Sequence, residues 1–301
     1  MTARLGPRPV VVGVDGSTGS TQAVRWAAAQ ASLWGCPLRL VHAHTEPWIH
    51  LTDQTTPQGD HRQALVNVGH GWLRAATDVA TAAAPGVEVS TELVTSTPGQ
   101  LLIEESGRAR LVVVGSRGLG GFSGLMLGST AVVLSAHAHC PVAVVRGADI
   151  RPPGSGPVVL GVDGSAASEA AIGFAYEAAS QRGVPLVAVH VWSDLSLTAS
   201  FVPTPPMFDW PVIEDDERRL LAQRLAGWQE KYPEVQVRRV VTEGRPAYSL
   251  LQAAEDAQLL VVGSRGRGGL RGLLLGSTSQ ALLHHAPCPV VVARPESPVT
   301  T

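Results

Sequence analysis

The sequence predicts an α/β protein made of two tandem domains, each with an open, doubly wound parallel sheet. Three observations lead to this prediction. The 301 residues correspond to about two domains of ordinary size. Short, valine-rich apolar runs alternate with alanine-rich helical stretches, which is typical of parallel strands covered by helices on both faces. The third observation is that the sequence repeats itself at a constant offset of 148 residues.

The repeat spans a whole domain. The segment GVDGS at 13–17 returns at 161–165, GSRG at 115–118 returns at 263–266, and CPV at 140–142 returns at 288–290. Solenoid repeats are only about 20–50 residues long, so this offset indicates duplication of a domain. We therefore expect domain 1 over residues 1–148 and domain 2 over 149–301, with a proline- and glycine-rich linker at about 147–157.

Each element of the first half has a local signal. Strands are expected over 9–14, 38–43, 87–94, 111–114 and 142–145, where β-branched residues dominate. Helices are expected over 20–34, 63–84, 98–106 and 129–137. Ser17 or Ser20 can cap the first helix, Pro85-Gly86 ends the second, and Pro98 begins the third. The second half repeats this order, and the crossovers are expected to be right-handed.

Composition narrows the range of functions. The formal net charge is −2, whereas a general nucleic-acid binder carries a basic excess, so no nucleic-acid partner is expected. No apolar run approaches the roughly 18–20 residues that span a bilayer, and the apolar stretch at 10–14 is too short for a signal peptide. Three cysteines do not make a disulfide framework. These observations predict a cytoplasmic protein with no membrane partner.

Two glycine-rich segments in each half follow predicted strands. The first is GVDGS, and the second runs over 115–129 and 263–277, where both copies have the spacing G-x2-G-x9-G-S. Ligands of doubly wound folds bind at the carboxyl ends of the strands. Glycine lets successive backbone amides approach an anion, and the final Gly-Ser of each segment stands where a helix begins. The pattern favours phosphate binding; the alternative is that these glycines only form tight turns.

Side chains in the same segments suit a nucleotide. Asp15 and Asp163 follow the first strand of each half, where a carboxylate can accept hydrogen bonds from ribose or adenine or help to place a metal ion. Ser129 and Ser277 add hydroxyl donors. Charge-assisted bonds to phosphate can come from Arg117, Arg265, Arg267 and Arg271. Neither a P-loop nor an in-frame G-x-G-x-x-G is present.

These motifs resemble the universal stress protein family. The resemblance rests on G-x2-G-x9-G-S after the fourth strand and GVDGS at the end of the first, and it covers almost the whole chain as two tandem domains, similar to the tandem proteins of actinobacteria. It implies a Rossmann-like fold of the adenine nucleotide α-hydrolase type with strand order 3-2-1-4-5. It also implies ATP, with or without Mg²⁺, between the first and fourth strands, and pairing through the fifth strand as a homodimer or as a pseudo-dimer of the two domains.

Carried over by position, the resemblance assigns two nucleotide sites. The first comprises Gly13, Asp15, Val41, Gly115, Ser116, Arg117, Gly118, Gly120, Gly121, Gly128, Ser129 and Thr130. The second comprises Gly161, Asp163, Val189, Asp194, Gly263, Ser264, Arg265, Gly266, Arg267, Gly268, Gly269, Gly276, Ser277 and Thr278. Val41 and Val189 stand where the family places contacts to adenine. Glu46 and Asp194 stand where related tandem proteins place an acidic residue near the nucleotide.

Three functions are compatible with this pattern. The first is a nucleotide-binding regulatory protein, the second a slow ATPase or nucleotidyl-transfer enzyme, and the third a dimerisation module without a ligand. No duplicated Glu or His in the loops is an obvious catalytic base, so no catalytic residue is assigned. No metal ligand is assigned either, because the spacing of His137, His139 and Cys140 does not make their side chains converge. The second loop has Arg267 and Arg271 where the first has Leu119 and Ser123, which predicts tighter triphosphate binding in the second half.

Overall fold

The computed structural model describes residues 7–45, 58–119, 127–147, 151–192, 210–266 and 274–295. The chain divides into two compact units, Met1–Ala148 and Asp149–Thr301. Within the described residues, each unit contains five strands and four helices in the same order.

The elements of the first unit alternate between strand and helix until the last strand. They are β1 (Val10–Gly13), α1 (Thr18–Trp34), β2 (Leu38–His44), α2 (Gln58–Ala83), β3 (Val89–Thr95), α3 (Pro98–Ser106), β4 (Leu111–Gly115), α4 (Ser129–His137) and β5 (Val142–Val145). The second unit contains β6 (Val158–Val162), α5 (Ala166–Arg182), β7 (Leu186–Trp192), α6 (Trp210–Lys231), β8 (Val237–Glu243), α7 (Pro246–Ala253), β9 (Leu259–Gly263), α8 (Ser277–His285) and β10 (Val290–Ala293).

Both sheets are parallel throughout, which confirms the predicted fold class. The strand order is β3-β2-β1-β4-β5 in the first unit and β8-β7-β6-β9-β10 in the second, as the resemblance implies. In the first unit, Val10 lies beside Leu38 on one side and Leu111 on the other. The chain therefore builds outward from β1 to β3 and then returns to the other side of β1. This reversal between β1 and β4 is the place where doubly wound folds bind ligands.

The core explains why the strands are so rich in valine. All residues of β1 before Gly13, and all of β4 before Gly115, are buried, because helices cover both faces of the sheet. α1 and α2 pack together, and α3 packs with α4. α1 presents the buried alanines Ala23, Ala27 and Ala31, whose small side chains let the helix lie close to the sheet. Gly35 ends α1 in the left-handed conformation, with φ of 58°, and its N–H donates to the Ala31 carbonyl.

The largest difference from the predicted elements is at α2. This helix begins at Gln58, whereas hydrophobic periodicity predicted residue 63. The residues between, from Gln58 to Arg62, are polar or glycine and show no helical apolar period. Capping was predicted more closely, because the Ser17 hydroxyl accepts a hydrogen bond from the Ser20 N–H at 3.1 Å.

Candidate functional site

A cavity of about 540 Å³ lies at the carboxyl ends of β1, β2 and β4, where the strand order reverses. Pockets of roughly 300–1,000 Å³ hold cofactors and other small ligands. Nine residues of the predicted first site line it: Gly13, Asp15, Val41, Gly115, Arg117, Gly118, Gly128, Ser129 and Thr130. Residues from four separate segments of the sequence therefore meet in one concave surface.

The Asp15 carboxylate joins the end of β1 to the glycine segment. Its Oδ1 accepts hydrogen bonds from the Ser17 N–H at 3.0 Å and the Ser17 hydroxyl at 2.6 Å, and its Oδ2 accepts one from the Leu119 N–H at 3.2 Å. A Cβ added to Gly118 would clash with Oδ2, so a larger residue cannot occupy that position without displacing the carboxylate. A carboxylate has about four lone-pair positions. Three are used by the protein, which leaves one for a ligand hydroxyl or amino group.

The two helix N-termini at this edge differ in their access to an anion. The N-terminus of α1 is closed, because Ser17 caps it and a Cβ on Gly19 would lie only 2.7 Å from the Arg117 carbonyl oxygen. The N-terminus of α4 begins at Gly128 (φ −72°, ψ 147°), and no described side chain caps it. Since Ser129 and Thr130 line the cavity, the first-turn amides and the positive end of the helix dipole are available to an anion there.

Arg117 brings a positive charge to the cavity, and a second arginine lies near it. Arg117 lines the cavity wall. Arg146 follows β5, and burial together with the Arg117 guanidinium lowers the pKa of Arg146 below its usual range. Two cations held near each other favour a bound anion.

One predicted first-site residue does not line the cavity. The Ser116 N–H donates to the Val145 carbonyl and its own carbonyl accepts from the Gly128 N–H, both at 2.8 Å. Ser116 thus connects the two ends of the glycine segment to the sheet. Ser264 makes the matching bonds to Ala293 and Gly276, at 3.0 and 2.9 Å. Eight residues that the sequence analysis connects with the sites fall outside the described residues: Glu46, Gly120, Gly121, Asp194, Arg267, Gly268, Gly269 and Arg271.

Sequence reasoning missed the apolar wall of the cavity. Trp72 on α2 and Leu101 and Leu102 on α3 all line it. Leu102 lies so close to β1 that a Cβ on Gly13 would be 2.9 Å from its Cδ1. Trp72 contacts Gly16, whose φ of 79° also requires glycine. Helical periodicity marks the leucines as inward-facing, but no local signal connects Trp72 to a loop that is more than fifty positions away.

The second unit repeats the polar part of this arrangement. The Asp163 Oδ1 accepts a hydrogen bond from the Ser165 N–H at 2.9 Å, and a Cβ on Gly266 would clash with Asp163 Oδ2. Val189 lies beside Gly161 in register, as Val41 lies beside Gly13. α8 begins after Gly276 with no described side-chain cap, and Arg265 precedes Gly266 at the end of β9. Of the other predicted residues, Gly263 ends β9, and Ser277 and Thr278 lie in the first turn of α8.

Two features are absent from the described parts of the chain: a metal-binding cluster and a membrane-spanning helix. These parts contain no group of three or more His, Cys, Asp and Glu side chains that is arranged to hold a metal. None of the described helices combines the length and the apolar character that a bilayer crossing requires.

Comparisons with known proteins identify the family. The universal stress protein family profile matches residues 7–146 and again 155–294. Universal stress protein Rv2005c of Mycobacterium tuberculosis is 43% identical over 294 residues, which cover 95% of this chain and 96% of the relative. Rv2623 of the same species is 41% identical over 293 residues, again covering 95% and 96%.

Solved structures agree on the fold. A universal stress protein from Archaeoglobus fulgidus superimposes with a TM-score of 0.70 at 20% identity, covering 96% of this chain and 99% of that one. A protein from Pseudomonas aeruginosa described as functionally unknown, PA1789, gives a TM-score of 0.62 at 20% identity, covering 96% and 93%. With two profile matches, and relatives above 40% identity along nearly its full length, the chain belongs to the universal stress protein family and carries two tandem copies of its domain.

Proposed function

We propose that this protein binds ATP in both units and acts as a nucleotide-dependent regulatory protein in a stress response. The observation that carries the proposal is the uncapped first turn of α4, which opens into a cavity that Asp15 and the glycine segment also line. This one cavity thus combines amide donors for phosphate with a carboxylate acceptor for ribose or adenine. Apolar walls complete it, as in most small-molecule sites.

The geometry supports one orientation of the nucleotide. The phosphates belong at α4, because α1 is closed by Ser17 and by the Arg117 carbonyl. The base then belongs at the β2 side, where Val41 and Ala43 line the cavity beside Leu101. Asp15 follows β1, which lies between β2 and β4 in the sheet, so its carboxylate is where ribose is expected. Hydrogen bonds to charged groups contribute about 1.5–3 kcal/mol each, so a few bonds to phosphate dominate the affinity.

Mg²⁺ is expected to arrive with the nucleotide. Magnesium is usually held by one or two carboxylates together with substrate phosphates. Asp15 and Asp163 are our candidates for this carboxylate, and each already accepts a hydrogen bond from its own loop. Among the described residues, each site therefore offers this one carboxylate to the metal, and nucleotide phosphates and water supply the other ligands.

A binding role is favoured over catalysis. The titratable side chains among the described lining residues are Asp15, His42 and Arg117. Asp15 is held by three donors, and His42 Nδ1 lies 2.6 Å from the Val14 carbonyl, so both are fixed in structural hydrogen bonds.

A slow ATPase is the second candidate. ATP turnover should be measured for the protein and for a Gly263→Glu variant; turnover that exceeds this control at the second site would favour the enzyme.

The experiment that tests ATP binding is identification of the ligand in the protein as purified. Heat release followed by mass spectrometry is expected to yield an adenine nucleotide, and titration with ATP is expected to show two equivalents per chain. Added ATP should also raise the stability, by about 2.7 kcal/mol at 100 times the dissociation constant. Absence of released nucleotide together with no thermal shift at millimolar ATP would reject the proposal.

Two further expectations belong to this proposal. Family resemblance suggests pairing through β5 or β10, either between chains or between units. Sedimentation measurements of the mass in solution at several protein concentrations test whether chains pair. The cytoplasmic location expected from the composition is tested by fractionation of cells that express the protein from its own promoter.

A further inference from the structure

Each unit places one histidine at the same point beside the nucleotide edge. His42 on β2 and His190 on β7 are both buried. Their Nδ1 atoms lie 2.6 Å from the Val14 carbonyl oxygen and 2.7 Å from the Val162 carbonyl oxygen, respectively. A carbonyl only accepts, so Nδ1 carries hydrogen in both rings. Each of these carbonyls immediately precedes the aspartate of its site, so the histidines hold the strand ends from which Asp15 and Asp163 project.

The other ring nitrogen meets a different environment in the two units. In the first unit, the edge of the Trp72 ring packs on His42, with centroids 5.1 Å apart and planes at 88°. Gly69 lies directly over the imidazole, because a Cβ there would be 2.8 Å from His42 Cδ2. No side chain fits between α2 and the histidine at that position.

In the second unit, a carboxylate takes the place of this glycine. The repeat offset of 148 places Glu217 at the position of Gly69, and Leu220 at that of Trp72. Glu217 Oε2 lies 2.7 Å from His190 Nε2, and their side chains are 26% and 5% exposed. α6 is thus connected to β7 by a polar contact, whereas α2 is connected to β2 by an aromatic one.

The 2.7 Å contact requires a proton. Nδ1 of His190 already carries hydrogen, and an ionised carboxylate only accepts, so without another proton two lone pairs would face each other. Imidazole is the stronger base of the two groups, so the proton belongs on Nε2 and the pair is charge-assisted. His42 has no carboxylate at this position and needs no second proton.

Building on the proposed function, we propose that Glu217 is a positioning residue of the second nucleotide site, and that the proton it shares with His190 makes nucleotide binding in the second unit, unlike the first, depend on pH. Loss of the proton sets the Glu217 carboxylate against the Nε2 lone pair. The repulsion loosens the first turns of α6 and the imidazole, and His190 in turn holds the Val162 carbonyl next to Asp163. Affinity at the second site therefore falls as pH rises.

Other charged groups lie on the elements that pack against this pair. In register, Val241 lies beside His190, so Arg239 and Glu243 of β8 share its face of the sheet. From the helices, Glu214 pairs with Arg218 at 2.6 Å, and Arg224 pairs with Glu169 at 2.9 Å. At the matching positions of β3 the first unit has the uncharged residues Thr91, Leu93 and Thr95. Glu217 is the charged group in hydrogen-bonding contact with Nε2 of His190.

The test compares ATP affinity at the second site with and without the carboxylate charge. A Gly118→Val background disables the first site in the full chain, and dissociation constants are measured by calorimetry from about pH 6 to about pH 9 with and without Glu217→Gln. Glutamine keeps the shape and can donate to a neutral imidazole. Relative to the Glu217→Gln variant, the ATP affinity of the Gly118→Val protein that keeps Glu217 should fall about fivefold over this range. This is at the lower end of the coupling usually found between two binding events. Titration of ATP itself cancels in this ratio.

Two controls accompany the test. Glu214→Gln removes an exposed carboxylate one turn earlier on α6 and should leave the pH profile unchanged. In a Gly266→Val background, where ATP is read at the first site, Glu217→Gln should have no effect. A ratio that stays constant with pH while ATP still binds overturns the inference and leaves the proposed function intact. No ATP binding at any pH in either background rejects the proposed function itself.

A measurement without ligand tests the shared proton directly. Nitrogen-15 spectra of the imidazole rings at pH 7 should show hydrogen on both nitrogens of His190 and only on Nδ1 of His42. A bare lone pair on Nε2 of His190 would overturn the inference, whether or not the Glu217→Gln variant folds.

Discussion

A single methyl group added at Gly118 should weaken ligand binding at the first site. Alanine at this position would place its Cβ against Asp15 Oδ2, closer than van der Waals contact allows. A flexible carboxylate would simply turn away, but Asp15 is held by the Ser17 N–H, the Ser17 hydroxyl and the Leu119 N–H. Gly118→Ala must therefore break at least one of these bonds or displace the start of the glycine segment.

The size of the effect follows from those bonds. A hydrogen bond to a charged group contributes about 1.5–3 kcal/mol. Loss of one bond from the bound state therefore lowers ATP affinity about 10- to 100-fold, since about 1.4 kcal/mol is tenfold. The unfolding free energy should fall by no more than about 3 kcal/mol, because the core strands are untouched.

The assay is calorimetric titration of the full chain with ATP. Gly118→Ala should weaken binding at one of the two sites by this factor, Gly266→Ala should weaken the other through the matching clash with Asp163, and the double variant should weaken both. Gly71→Ala is the control, because a Cβ on this α2 glycine meets nothing within 4 Å. It should keep both sites and gain about 0.5–1 kcal/mol of stability.

Normal stoichiometry and affinity in both Gly118→Ala and Gly266→Ala would refute the reasoning. Such a result would mean either that the aspartates move freely or that the nucleotide does not bind beside them. Crystals of Gly118→Ala would distinguish the two, because only the first explanation predicts a rotated Asp15 side chain.

Further predictions concern charge, capping and the thiols. Arg117→Gln should weaken ATP binding at the first site about tenfold and leave adenosine binding unchanged, because only the phosphates gain from the guanidinium; equal losses for both ligands would argue against a phosphate contact. Arg267→Leu with Arg271→Ser should bring the affinity of the second site down to that of the first, and unchanged calorimetric affinity would contradict the predicted asymmetry. Ser17→Ala removes the cap of α1, which should cost about 1–2 kcal/mol and lower Tm by roughly 2–4 °C or more, whereas an unaltered Tm in calorimetry would show that the cap adds nothing. Burial raises the pKa of Cys288 to about 12. Because the unfolded thiol ionises near 8.5–9, this group contributes stability that is complete below about pH 8.5 and is lost as pH rises from there towards 12. Cys288→Ala should therefore flatten this part of the curve of unfolding free energy against pH, measured by denaturant titration.

Gene duplication has left the two sites alike where the backbone is constrained and different where side chains pack around it. Gly118 and Gly266 meet an aspartate in the same way, and Gly128 and Gly276 begin helices with almost the same dihedral angles. At Gly118 and Gly266 a Cβ would clash with the aspartate carboxylate, so a larger residue there would displace it. Trp72, in contrast, has become Leu220 in the second unit, where the helix contacts the same strand in another way.

Local signals were sufficient to predict most elements from the sequence. Valine runs, Pro98 at a helix start and the repeated glycine segments act over a few residues, and β4, α3 and α4 lie within one residue of their predicted bounds. α2 was predicted to begin five residues too late because its first turn is polar and therefore carries no hydrophobic period. The predicted residues beyond Leu119 and before Leu127 stay predictions, since they lie outside the described residues.

Which residues surround the site depended on tertiary packing. The sequence alone shows two glycine segments and an aspartate in each half, because duplication repeats them at one offset. It does not show that the Arg117 carbonyl closes α1 and leaves the amides of α4 for an anion, nor that Glu217 reaches His190 where Gly69 leaves His42 to an aromatic edge. Such contacts join elements that are far apart in the chain, and only the way each helix packs across its sheet brings them together.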